Sequence, residues 1–219
     1  MAVIKRCSLF AAWWAAGLVA VGAMADPSLP TLNAPDLAQG PYSHMQMLLQ
    51  KFWIDVATVE VRVDRPTQER FTTLAQGQSY SKELEQQLAA FAFGAQRAVV
   101  QMHFKRDIPF NRWVGVLHDN LGQARKAGLI AADVEKRIGE ALPQRLATLK
   151  ERGYEKDDRF IYSVTADAVQ VAVIAKGGQA LANFVEKDMG ARRAVMACFF
   201  APKSDYREAL LRNLVGAKR

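Results

Sequence analysis

The chain has 219 residues, 50% hydrophobic and 23% charged, proportions that exclude wholesale disorder, a collagen-like repeat and a disulfide scaffold. Lys plus Arg number 29 against 22 Asp plus Glu, a formal charge of +7, yet no run of five or more basic residues occurs, which argues against a nucleic-acid binder. The length is enough for one substantial hydrophobic core.

The first element is a leader. Lys5 and Arg6 precede an uncharged stretch from Cys7 to Ala25 whose apolar centre is Leu9 to Val21, and Ala23 and Ala25 flank Met24. That order of basic, apolar and small residues is the pattern of a cleaved secretory signal over 1–25, with cleavage after Ala25 and export to a bacterial-type periplasm. The competing reading is an uncleaved anchor, but Asp26-Pro27-Ser28-Leu29-Pro30 breaks any helix at its end. Cleavage removes two cations and leaves a charge of +5, with no transmembrane helix in the mature chain. Cys7 leaves with the leader, so Cys198 is a lone thiol expected in the core. Residues 26–44, rich in Pro, Ala and polar residues, read as a loose segment before a domain over 45–219.

From Met45 to Val63 the chain alternates, with Trp53, Asp55, Ala57, Val59, Val61 and Val63 on one side, predicting one long strand or two joined near Lys51-Phe52. Arg65-Pro66 opens a helix over 66–76, and Ser81 caps a second over 82–93. The two-residue period returns over 98–106. Pro109 then starts a helix striped by Phe110, Trp113, Val114, Leu117, Leu121 and Ala124 that stops at Gly128, and a longer one is expected over 132–151 with a kink at Pro143. Three short strands around 160–164, 169–173 and 181–185 form an antiparallel meander through Ala166-Asp167 and Gly177-Gly178. A short helix over 192–200, a break at Pro202 and a last helix capped by Ser204 or Asp205 and running to 214 close the chain. The economical sum is a single α+β domain, its helices gathered against one face of an antiparallel sheet.

Most catalytic signatures are absent. His103 has no His, Cys or carboxylate at ligand spacing, His118-Asp119 places its two side chains about 100° apart on a helix, and no nucleophile elbow, phosphate loop or dinucleotide fingerprint occurs. No metal or cofactor is called for. Lys105-Arg106 with Arg112, and Arg192-Arg193, are places where an anion such as a carboxylate would be steered, beside their plainer reading as solvated surface.

The order of elements resembles the chalcone isomerase superfamily. Phe52-Trp53-Ile54-Asp55-Val56-Ala57-Thr58-Val59-Glu60-Val61, Arg106-Asp107-Ile108 followed by Phe110 and Trp113, Asp158-Arg159-Phe160, Gly177-Gly178-Gln179 and Phe199-Phe200-Ala201-Pro202-Lys203-Ser204 are similar to its segments. The resemblance implies an open-faced β-sandwich, a large antiparallel sheet with helices on one face and a ligand cleft between. In plant enzymes of the family that cleft cyclises a chalcone to a flavanone, with arginine, threonine, tyrosine and asparagine holding the enolate. Carried over position by position, the arginine falls near His44, the strand threonine near Val56, the tyrosine at Trp113 and the late threonine at Cys198; only the asparagine persists, as Asn120. Asn120 follows Trp113 by seven residues, about 20° short of two turns, so the two share a helix side.

Non-catalytic members of the superfamily bind fatty acids. The expectation is therefore an exported protein that binds a small hydrophobic molecule, fatty-acid- or flavonoid-like, with little or no catalysis. Trp113, Asn120, His44, Cys198 and Arg106 are the candidate ligand-binding residues. A chalcone–flavanone-type isomerase using Asn120 with His44 or Arg106 is one alternative. A ligand-free interaction protein of the cell envelope, with Trp113 and Phe110 filling the cleft, is another.

Overall fold

The first described strand pair owes its shape to a turn that breaks a local rule. In the computed structural model, which describes residues 45–215, β1 (Met45–Lys51) folds back antiparallel on β2 (Ile54–Val63). Phe52 and Trp53 form the two-residue tip with φ of 52° and 66°. Positive φ at both central residues is what a two-residue hairpin of this hand requires, and Asn-Gly is its usual occupant. The predicted leader, the loose segment 26–44 and His44 lie outside the described residues.

Asp64 caps α1 (Arg65–Ala75) by accepting from Thr67 N at 2.9 Å, and its other oxygen takes the backbone N–H groups of Gln96 and Arg97, stitching the start of the helix to the start of β3 (Ala98–Phe104). Between them lies α2 (Lys82–Gly94), with Ser81 accepting from Leu84 N at 3.1 Å as the sequence predicts. Two helices follow β3: α3 (Phe110–Lys126), ended by Gly128 at φ 71°, and α4 (Ala132–Arg145). The expected run to 151 is corrected here. Just past Pro143 the helix ends, and Ala147–Leu149 continues as a single 3₁₀ turn. Gly153 then bends the chain at φ 70°, where a Cβ would lie 2.5 Å from the Ile108 carbonyl oxygen, so only glycine fits.

The remaining strands are β4 (Arg159–Val164), β5 (Val169–Ile174) and β6 (Ala180–Glu186). The closing helices are α5 (Met189–Phe200) and α6 (Arg207–Arg212). α5 begins three residues earlier than expected because Asp188 accepts from Gly190 N at 2.8 Å and supplies the cap.

Sheet order follows chain order, β1-β2-β3-β4-β5-β6, with every neighbour antiparallel, so the meander expected for the last three strands extends across the whole sheet. Strand alternation separates two faces. Ala57, Val59, Val61 and Val63, then Val100, Met102 and Phe104, then Phe160, Tyr162 and Val164, point into one core. The same core takes Phe71, Leu88, Leu121, Leu142, Phe199 and Leu210 from the six helices. The opposite face carries Glu60, Arg62, Gln101 and His103, with only a small cluster of Ile161, Ala172 and Ile174. The architecture is α+β, an open six-stranded antiparallel sheet with helices on one side. Among the described residues no helix is long and apolar enough to cross a membrane.

Candidate functional site

Trp113, Leu117 and Leu121 recur at helical spacing on the sheet-facing side of α3, and Asn120 stands at the edge of that stripe, which places one polar side chain against an otherwise apolar wall. α4 approaches α3 at Gly139, where an added Cβ would sit 2.8 Å from His118 Cε1; this close crossing brings Ile138 and Leu142 over the same space. His118 is thereby a packing partner of Gly139. From α5 come Ala194, Val195 and Cys198, from the sheet Met102 and Tyr162, and from just before α6 Tyr206. Together they line a cavity of about 60 Å³. One water needs roughly 10–15 Å³ on that scale, so the space holds several waters or the alkyl or aryl end of a molecule that reaches out past the half-exposed Val116.

Rings build the inner wall. Phe104 stacks on Tyr154 at 4.7 Å between centroids, Tyr154 meets Trp113 at 5.5 Å, and Trp113 meets Phe160 of the sheet at 5.4 Å. The chain continues through Tyr162, Phe199 and Tyr206 at 4.7, 6.5 and 5.0 Å. Trp113 thus touches the sheet on one side and lines the cavity on the other, so the helix–sheet space is only partly filled.

Among the described residues, none that lines the cavity carries a charge. The Asn120 amide hydrogen-bonds the Tyr206 hydroxyl, and Cys198 and Tyr162 lie close by. Burial pushes the Cys198 thiol up to about 12, and its modest accessible surface belongs to the cavity wall. Burial first, then the nearby Cys198, raises Tyr206 to about 12 against the opposing Asn120 hydrogen bond, and Tyr162 is raised well above its usual 10 for the same first reason. At neutral pH the described lining residues offer two phenols, a thiol, an amide and the Trp113 indole, able to donate hydrogen bonds, and include no base poised near 7.

Of the residues singled out from the sequence, Trp113, Asn120 and Cys198 come together here. Arg106 does not: it is exposed in the turn after β3 and does not line this cavity. Val56, the threonine-like position, has the outward parity of β2, with Ala57 facing the helices. Arg192 and Arg193 are tied to backbone carbonyls, Arg192 to Ala95 and Arg193 to Leu129 at 3.2 Å, and Arg193 also stacks over Phe93, so neither is a loose anion-steering group. His103 faces Asp157 on the open side of the sheet at 3.4 Å. Among the described residues no group of three His, Cys, Asp or Glu side chains gathers as a metal site would.

Tyr162 and Tyr206 line the cavity without being among the candidates that the sequence offers. Tyr162 was legible as an inward strand position but not as a cavity wall. Tyr206 reaches Asn120 from 86 positions away in sequence, and nothing local signals that contact. Compared with known protein families and with curated proteins, the chain finds no match in either.

Proposed function

We propose that this chain binds a small, mainly apolar molecule in the cavity between α3, α4, α5 and the sheet, and performs little or no catalysis on it. The observation that carries the reading is the composition of that cavity wall: apolar side chains throughout, with a few converging hydrogen-bond donors, the usual make-up of a small-molecule site. Because no cation lines the space among the described residues, a buried carboxylate would exchange its hydration for uncharged donors alone, so a neutral ligand with a carbonyl or hydroxyl is favoured over a fatty-acid headgroup buried at this point. A fatty acid remains compatible only tail-first. The segment-by-segment resemblance to the chalcone isomerase superfamily supports the same reading, and the leader pattern at 1–25 supports export to a periplasm.

Extraction of the purified protein followed by mass spectrometry, together with a Trp113 fluorescence titration, tests this. In protein lacking residues 1–25, and with them Trp13 and Trp14, the exposed Trp53 is silenced by iodide so that Trp113 reports alone. A co-purifying neutral lipophile, or saturable quenching by an aromatic ketone, supports the proposal; clean protein that ignores ketones and fatty acids alike refutes it.

The Asn120–Tyr206 pair favours a second reading, an isomerase in which these two donors hold a developing enolate. Loss of chalcone absorbance no faster than the spontaneous rate removes it.

A further inference from the structure

The tip of the β1–β2 hairpin has no part in the cavity. Phe52 is 87% exposed and Trp53 96%, and Ile54 and Leu48 beside them on the outer face are each nearly half exposed. Both tip residues hold φ values that bulky side chains rarely adopt, in a turn that Asn-Gly would make without strain. The fold therefore keeps two large aromatic side chains in water and in a costly conformation at once, a combination that marks functional positions.

The charges around the tip lean to one sign: Lys105, Arg106 and Lys203 stand against Asp55 and Asp107, while Lys51 and Asp205 offset each other. The N–H of Lys105 bonds the Val56 carbonyl oxygen at 2.9 Å, which sets Lys105 and Arg106 at the same end of the sheet as the tip. Lys203 stands two residues from Asp205, whose carboxylate bridges Lys51 at 2.7 Å. Of the nearby acids Asp205 is paired with Lys51; Asp55 and Asp107 accept from neutral donors, the Gln50 amide and the N–H of Lys156, and keep their charge. No carboxylate partner is seen for Lys105, Arg106 or Lys203 among the described residues.

We propose that this tip inserts into the interface of a lipid bilayer carrying anionic headgroups. The patch offers roughly 400–600 Å² from two aromatic side chains and two aliphatic ones, short of the roughly 800 Å² per partner that a stable protein–protein interface buries. A convex point of Trp and Phe backed by a small excess of cations, of which Lys105 lies 3.4 Å from the His103 ring and none is paired with a described carboxylate, is what a membrane surface takes up: the rings enter the headgroup boundary and the cations meet the phosphates.

Flotation of the full chain with phosphatidylcholine vesicles, and with vesicles in which part of the phosphatidylcholine is replaced by phosphatidylglycerol, tests the proposal. Wild type is compared with Phe52→Asn/Trp53→Gly and with Lys105→Gln/Arg106→Gln, each with the same N-terminus so that any contribution of the apolar leader cancels. The tip variant removes the strain along with the rings, so its fold is retained, checked by circular dichroism. The expected result is binding to the mixed vesicles with a blue-shifted component of tryptophan emission that the tip variant, lacking Trp53, does not show, about tenfold weaker binding for the tip variant, and loss of the phosphatidylglycerol preference for the charge variant. Equal partitioning of wild type and tip variant, or no flotation of wild type with either vesicle, overturns the proposal. So does sedimentation showing a wild-type dimer that the tip variant dissolves while vesicles leave the wild type unbound, which would make the tip a contact between copies.

Discussion

Replacing Arg207 by Met should destabilise the protein by about 3 kcal/mol. Arg207 at the start of α6 and Glu85 in α2 are both buried, and Arg207 Nε lies 2.8 Å from Glu85 Oε1. The other carboxylate oxygen of Glu85 accepts from Tyr80 Oη at 2.5 Å and from Lys82 Nζ at 2.9 Å. Removing one partner of a buried pair costs about 3–5 kcal/mol, because it strands the remaining charge; here Tyr80 and Lys82 still hold one oxygen, which favours the lower end. For a domain of this size 1 kcal/mol moves Tm by about 2–4 °C, so a fall of roughly 6–12 °C follows. The pH dependence has a definite sign. Burial pushes the Glu85 carboxyl up, but the Tyr80, Lys82 and Arg207 interactions outweigh it and hold it below the usual carboxylate range. Its stabilisation is therefore full above the unfolded carboxylate pKa and is lost as pH falls through the depressed folded value. Arg207→Met should flatten that acid limb in thermal melts followed by circular dichroism, and Glu85→Leu/Arg207→Met should recover much of the loss. A single variant within about 0.5 kcal/mol of wild type, or a double variant whose loss equals the sum of the singles, would refute the coupling.

Asp158, 1% exposed, accepts from Arg152 at 2.6 Å and from the N–H groups of Glu155 and Lys176, so Asp158→Ala should cost about 3–5 kcal/mol in urea unfolding with an unchanged m-value. Phe52→Asn/Trp53→Gly should raise stability by about 1–2 kcal/mol, since the new residues accept positive φ; a loss of stability in the same unfolding experiment would show the tip rings to be structural. Cys198 should carry on the order of a thousandfold less thiolate than a free thiol near neutral pH, so alkylation by iodoacetamide should be slow in the native protein and fast in denaturant; rapid native labelling would contradict its burial.

The period of the hydrophobic pattern made the elements legible, because each packs one face against a shared core: β2 and β3 alternate as strands buried on one side do, and α3 shows its stripe from Phe110 to Ala124. The caps at Ser81 and the stop at Gly128 were readable for local reasons of the same kind. The end of α4 was not, because the apolar spacing of Leu142, Leu146 and Leu149 continues through the 3₁₀ turn past Pro143. Of the candidate site, the helix side shared by Trp113 and Asn120 could be computed from spacing alone. The partners that complete it could not, since Tyr206 meets Asn120, and Arg207 meets Glu85, only after the C-terminal segment has folded back over α3 and α2. The join near Lys51-Phe52 was legible as one of two readings, and the structure has it at Phe52-Trp53, but the exposure of the tip was not: Trp53 continues the alternation of a strand, and only the left-handed backbone turns it outward.

The most direct measurement on the central claim is a nitrogen-15 NMR titration of the folded protein with a neutral aromatic ketone, read at the Trp113 indole and Asn120 amide groups. Saturable shifts at these two and at the backbone of Ala194 and Cys198, abolished in Ala194→Leu, which fills the cavity from α5, are the predicted result. Shifts scattered over the open face of the sheet, or unchanged when Ala194→Leu closes the space, would contradict the account.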